Sequence, residues 1–201
     1  MFKFFAQWFS KQDKHQKIAE ISLLTGAGVG LLASFVLSIE TLVLAKTPNI
    51  VLGCDLNAVI SCSSVAQHWS ASLLGFPNAF IGLMALPVMV TIGVALLAGT
   101  KFPRWFMFAA QIGVSVGFIF ALWMFYMSFV EIGVLCPWCL TLDVGMLLIF
   151  GGMTRYNILT GVITGKKVKK FVQNDYDIVL LMIIITLAVV MILAKFGDQL
   201  L

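Results

Sequence analysis

The stretch Gly133-Val134-Leu135-Cys136-Pro137-Trp138-Cys139-Leu140-Thr141-Leu142-Asp143 places a C-x-x-C dithiol at the entrance of an apolar run that continues to Met153. Two thiols three apart at a helix start share one face and can close a small disulfide. Pro137 suits the first helical turn, where its missing N–H is no loss. The free N–H groups of that turn and the helix dipole favour negative charge on sulfur. The pair reads as a redox dithiol; an inert pair or half of a zinc site are the blander readings.

Composition sets the surroundings. Of 201 residues, 61% are hydrophobic and 11% charged, and the mean hydropathy is +1.03. These values exclude an ordinary soluble domain and predict an integral membrane protein. A bilayer core of roughly 30 Å needs about 20 apolar residues per helix. Five stretches qualify, near Ile21–Leu44, Ala79–Ala98, Trp105–Val130, Leu135–Met153 and Ile178–Ala194. The expected fold is therefore all-α.

Basic residues orient these spans. Lys3, Lys11, Lys14 and Lys17 precede the first; Lys101 and Arg104 lie in the second connection; Arg155, Lys166, Lys167, Lys169 and Lys170 lie in the fourth. Only Lys46 and Lys195 fall on the opposite side. The positive-inside rule then puts the amino terminus in the cytoplasm and the carboxyl terminus outside. All four cysteines fall outside or at the outer interface, where disulfides persist. The net charge of +4 reports topology, and no nucleic-acid partner is expected.

Along the chain, residues 1–17 mix Phe2, Phe4, Phe5, Trp8 and Phe9 with lysines and read as an amphipathic segment on the cytoplasmic surface. Gly26, Gly28 and Gly30 permit close helix packing in the first span. Glu40, near the outer end of that span, reads as simply hydrated. The loop 45–78 carries Cys54 and Cys62 with seven residues between them, which can close as a disulfide. That disulfide can be a structural staple or, with a second dithiol on the same side, part of an exchange chain. Val65, Trp69 and Leu73 recur at i, i+4 and i+8, predicting a short helix lying flat on the bundle, apolar side down. Asn78 opens the second span, as an N-cap or as a hydrogen-bond donor to a ligand. Phe120, Trp123, Tyr126 and Met127 form either an interfacial aromatic belt or part of a pocket. Asp143, one turn below Cys139, should face the bundle interior, as a functional or a structural acid.

These residues together resemble the vitamin K epoxide reductase family in its bacterial form: Cys54…Cys62-Ser63, then Gly75-Phe76-Pro77-Asn78-Ala79-Phe80-Ile81-Gly82, then Cys136-Pro137-Trp138-Cys139. The resemblance covers roughly residues 20–155. It implies a four-helix transmembrane bundle (18–155) around a quinone, covered by the extracytoplasmic loop 45–78 with a short cap helix. Residues 156–201 would add a basic cytoplasmic linker and a fifth transmembrane helix. Cys139 resembles the quinone-facing cysteine and Cys136 its disulfide partner. Cys62 resembles the loop cysteine that attacks Cys136, and Cys54 the outer cysteine that exchanges with a thioredoxin-fold (DsbA-like) protein. Asn78 resembles the asparagine that hydrogen-bonds a quinone oxygen, with Ser63, Trp123, Tyr126 and Asp143 as further candidates for the quinone pocket.

The implied activity is quinone-dependent thiol oxidation in a bacterial inner membrane. The quinone would be a menaquinone, ubiquinone or phylloquinone, the protein partner a separate chain, and no metal is expected. Vitamin K quinone or epoxide reduction is one alternative, although Asp143 stands where vertebrate members have a Tyr. A membrane scaffold with stapled loops is another. A thiol oxidase of the disulfide-bond-formation B type carries its dithiol in the first outer loop, whereas here it opens the fourth span.

Overall fold

A computed structural model describes residues 14–200 of the chain, with side chains as far as residue 197. Among these residues, five helices are long and apolar enough to cross a membrane. They are α1 (Lys14–Lys46), α3 (Ala79–Leu97), α4 (Arg104–Tyr126), α5 (Pro137–Leu159) and α7 (Tyr176–Leu200). Short helices α2 (Cys62–Gln67) and α6 (Lys166–Gln173) lie in connections. The amphipathic segment expected over 1–17 falls outside the described residues up to 13; Lys14–Lys17 already belong to α1.

Helix α1 is the central member and packs along both α5 and α3, while α4 covers α5. The α1–α5 approach is set by small residues. A Cβ on Gly26 would lie 2.7 Å from the Gly145 carbonyl oxygen and 2.7 Å from the Leu148 Cβ, so a larger residue there would push the helices apart. Lipid chains are as apolar as the side chains they solvate. Such close contact, with interhelical hydrogen bonds, therefore does what apolar burial does in water. Gly28, expected in the same seam, has nothing within 4 Å of its Cβ position; it points off the seam because, at about 3.6 residues per turn, a step of two residues from Gly26 or Gly30 reaches the opposite face of the helix. Polar groups join α4 to α5: Asn157 Nδ2 donates to Gln111 Oε1 at 2.9 Å, and Gln111 Nε2 to Thr154 Oγ1 at 3.1 Å.

The fourth span is longer than its apolar run. The stretch expected as linker from Thr154 is helical to Leu159, and Arg155 is buried within it at 3% exposure. Its guanidinium donates to both carboxylate oxygens of Asp177, at 2.7 and 2.8 Å, and to Asp175 at 2.5 Å. The hydrogen bond from Arg155 holds the Asp175 carboxyl below the usual range. Hydropathy alone read Arg155 as a surface charge because the acids that neutralise it are 20 and 22 residues away.

At the other end, the loop 47–78 covers the bundle. The single flat cap helix is a correction. Ser61 caps α2 through a bond from the Ser64 N–H, and the helix stops at His68, whose ring caps a 3-10 turn over Trp69–Ser72. The break rotates the stripe, so Val65 is buried but Trp69 is 60% and Leu73 48% exposed.

Candidate active site

All four cysteines meet at the loop-covered end. Cys136 is the N-cap of α5 and Pro137 its first helical residue, as the free N–H groups of a first turn prefer. The Cys136 sulfur accepts the Cys139 N–H at 3.3 Å. A π-helical turn over Met127–Ile132 brings the chain to this point, and Gly133 turns it at φ 69°. Leu135 then pairs in parallel with the loop: its N–H donates to the Val59 carbonyl at 2.8 Å, and Ser61 N–H donates to the Leu135 carbonyl at 3.0 Å.

This small ladder sets the sulfurs. Cys62 follows Ser61 as Cys136 follows Leu135, and the Cys136 thiol points at the Cys62 sulfur across 3.5 Å. Cys62 is itself joined to Cys54 by a disulfide, while Cys136 and Cys139 are free. Cys54, Cys62 and Cys136 are buried in one apolar cluster with Leu37, Leu44 and Val65.

Asp55 clasps the loop. Its carboxylate accepts the Leu52 N–H at 2.9 Å, the Ser63 N–H at 3.0 Å and the Ser61 hydroxyl at 2.8 Å. Partial burial pushes its pKa up, but the hydrogen bonds from Ser63, Leu52 and Ser61 outweigh it and bring the value down to about 2. Sequence reasoning missed this residue; an acid directly after Cys54 with serines at 61 and 63 was the available signal. It also gave Glu40 no part, yet a Glu40 carboxyl oxygen lies 3.1 Å from the Cys54 sulfur.

Beneath the cap lies a cavity of about 380 Å³, a size that suits a small-molecule ligand. Its lining is apolar, drawn from α1, α3, α4 and α5, with Asn78, Cys139 and Asp143 among the few polar contributors. Cys62 also reaches its wall. Asn78 stands at the N-cap position of α3 without capping it. Its amide instead donates to the Ser70 carbonyl at 2.6 Å and accepts the Leu73 N–H at 3.3 Å, tying the cap loop to the cavity mouth.

Three other pocket candidates stand elsewhere. Phe120 and Met124 face the cavity, and helical spacing turns Trp123 and Tyr126 away from it. Trp123 packs its ring near Trp69 at 6.2 Å, and Tyr126 is exposed. Ser63 is held in the Asp55 clasp, its hydroxyl 3.1 Å from that of Ser61.

The arrangement can do one kind of chemistry readily. A loop disulfide abuts a helix-capping thiol, and the second thiol of its pair, three residues on, faces an apolar cavity. Thiol–disulfide exchange needs a sulfur nucleophile near a disulfide sulfur with a leaving thiolate behind it, and each of these is present. No match to a curated protein is found. The sequence profile of the vitamin K epoxide reductase family matches residues 21–154, which is the α1–α5 bundle with its loop and both cysteine pairs. That family consists of oxidoreductases that use quinones, and this chain, a multi-pass membrane protein with the expected all-α fold, belongs to the vitamin K epoxide reductase family.

Proposed function

We propose that this protein is a thiol oxidase that regenerates an extracytoplasmic thioredoxin-fold (DsbA-like) protein and passes the electrons to a membrane quinone. The observation that carries the reading is the 3.5 Å approach of Cys62 to Cys136, which links the loop pair to a pair at the cavity.

In this reading a partner thiolate attacks Cys54, opening the Cys54–Cys62 disulfide and leaving Cys62 as thiolate. The second partner thiol resolves the mixed disulfide, so the partner leaves oxidised by two electrons. With Cys136 and Cys139 joined as a disulfide, Cys62 attacks Cys136 and Cys139 leaves as thiolate. Cys54 then attacks Cys62, restoring the loop disulfide and freeing Cys136. The reduced Cys136/Cys139 pair with an intact loop disulfide is the state described here.

The cavity fits an apolar ring system: its volume, apolar walls and a single amide at the mouth match what such a ligand needs. Asn78 would hold a ring oxygen, Cys139 would face the ring and Asp143 would stand one turn deeper as a proton source. A quinone supplies an acceptor for two electrons and two protons. Most basic residues lie at the helix ends opposite the cysteines, which by the positive-inside rule supports an orientation with the cysteines outside; the membrane in this reading is a bacterial inner membrane.

The test is oxidation of a reduced thioredoxin-fold protein by the purified chain. Oxidation should require added quinone and yield quinol in equal amount. No quinone-dependent oxidation of any such protein would refute the proposal.

A further inference from the structure

We propose that Glu40 is the proton acceptor and donor for Cys54, a catalytic carboxyl serving the loop disulfide; this rests on the exchange sequence given above. Glu40 lies near the end of α1, and one of its oxygens contacts the Cys54 sulfur at 3.1 Å. Its other oxygen is buried and has no hydrogen-bond partner among the described residues. Neither feature suits a hydrated surface acid, because an unpartnered buried polar atom is costly and is kept where it serves a role such as catalysis.

The chemistry of the contact depends on redox state. A disulfide sulfur has no hydrogen, so only a protonated Glu40 can donate towards Cys54 while the loop pair is oxidised. Once the pair is reduced, a Cys54 thiol can donate to a Glu40 carboxylate. The contact is favourable in both states only if one proton moves with the redox change.

The neighbouring acid shows the division of labour. Asp55 has its acceptor capacity taken by two N–H groups and a hydroxyl, which fixes it as an anion. Among the described residues, Glu40 has only the Cys54 sulfur as a hydrogen-bond partner. Two carboxyls in such different environments take different roles. The charged or titratable groups that Glu40 faces are Asp55 and Cys54 from the loop, Cys62 from α2 and Cys139 from α5.

The proton balance closes over one cycle. When the second partner thiol releases Cys54, the departing thiolate takes the proton of the Glu40 carboxyl, leaving a carboxylate beside a neutral thiol. Cys62 meanwhile attacks Cys136 and expels Cys139. The Glu40 carboxylate then removes the Cys54 proton as Cys54 attacks Cys62, and Cys136 departs as thiolate. Two electrons pass from partner dithiol to the Cys136/Cys139 pair, and Glu40 returns to its starting form.

Fully reduced protein, pulsed with iodoacetamide between pH 5 and 8, reads this directly through the mass of the Cys54 peptide. A chelator is included, because Glu40, Cys54 and Cys62 would offer a metal three ligand atoms within 4.8 Å of one another. In the wild type a carboxylate base makes the Cys54 rate fall less than tenfold per pH unit below neutrality. In Glu40→Gln the rate should track thiolate alone, falling tenfold per unit, and at pH 6 should be about tenfold below wild type. Glu40→Asp should lie between them, and it carries the test should Glu40→Gln not fold. Superimposable profiles for wild type and the variant overturn the inference. The readout needs no quinone, so failure of the wild type to reduce quinone would count against the thiol-oxidase reading alone.

Discussion

The sulfurs of Cys62 and Cys136 stand 3.5 Å apart although 74 residues separate them in the chain. Backbone pairing between Val59–Ser61 and Leu135 fixes this approach, with Asp55 holding the loop side and the Cys136 N-cap holding the helix side. The geometry therefore depends on a few polar contacts in a site otherwise walled by apolar side chains.

Asp55→Ala should loosen the loop without unfolding the bundle. Cys62, now buried, should become several-fold more reactive to alkylation after mild reduction, and protein-partner oxidation should slow. The pH dependence has a definite sign. The folded pKa of about 2 lies below the ordinary 3.8, so the clasp is at full strength above about pH 4 and is lost as pH falls through about 2. Cys62 reactivity corrected for thiolate should be flat from pH 5 to 8 in the wild type. A dependence on pH in that range would show that another group controls the clasp.

Cys54→Ala should separate the two cysteine pairs. Oxidation of a thioredoxin-fold partner should stop, whereas a small dithiol that reaches Cys136 directly should still drive quinone reduction. Normal partner oxidation in this variant would mean that electrons enter elsewhere.

Asp143→Asn keeps the side-chain volume and removes the proton. It should slow quinol formation by about tenfold or more, the scale of lost general-acid help, while Cys136–Cys139 disulfide formation by a soluble oxidant stays normal. Wild-type quinone turnover at every pH, in a folded variant, would leave Asp143 as a lining residue only.

Asp177→Ala tests the anchor of the fifth helix. The Arg155 guanidinium is buried at 3% exposure, and removing its bidentate partner leaves a poorly compensated charge, at a cost of about 3–5 kcal/mol. The melting temperature in detergent should fall clearly, and pairing the change with Arg155→Met should recover much of the loss. Equal stability of Asp177→Ala and wild type would show that Asp175 alone neutralises Arg155.

What the sequence made legible follows from the kind of signal each feature leaves. Long apolar runs fixed the five spans, and a dithiol followed at once by Pro and an apolar run fixed the helix start at Cys136. Where the signal was amphipathic spacing, it misled: Val65, Trp69 and Leu73 share a stripe only in an unbroken helix, and the His68 cap breaks it. Trp123 and Tyr126 looked like pocket residues by type, but their phase on α4 turns them away. Arg155, Asp55 and Glu40 were misread or missed for one reason. Each acts through partners distant in sequence or through backbone N–H groups, and neither leaves a periodic trace.

The central claim is that electrons cross between the cysteine pairs through Cys62 and Cys136. The direct measurement uses the double variant Cys54→Ala/Cys139→Ser, in which neither resolving thiol remains, oxidised mildly in the membrane and digested for mass spectrometry. The account predicts one dominant, dithiothreitol-sensitive link between the peptides that carry Cys62 and Cys136. A folded protein in which these two cysteines stay unlinked, under oxidation that closes Cys54–Cys62 in the wild type, would contradict it.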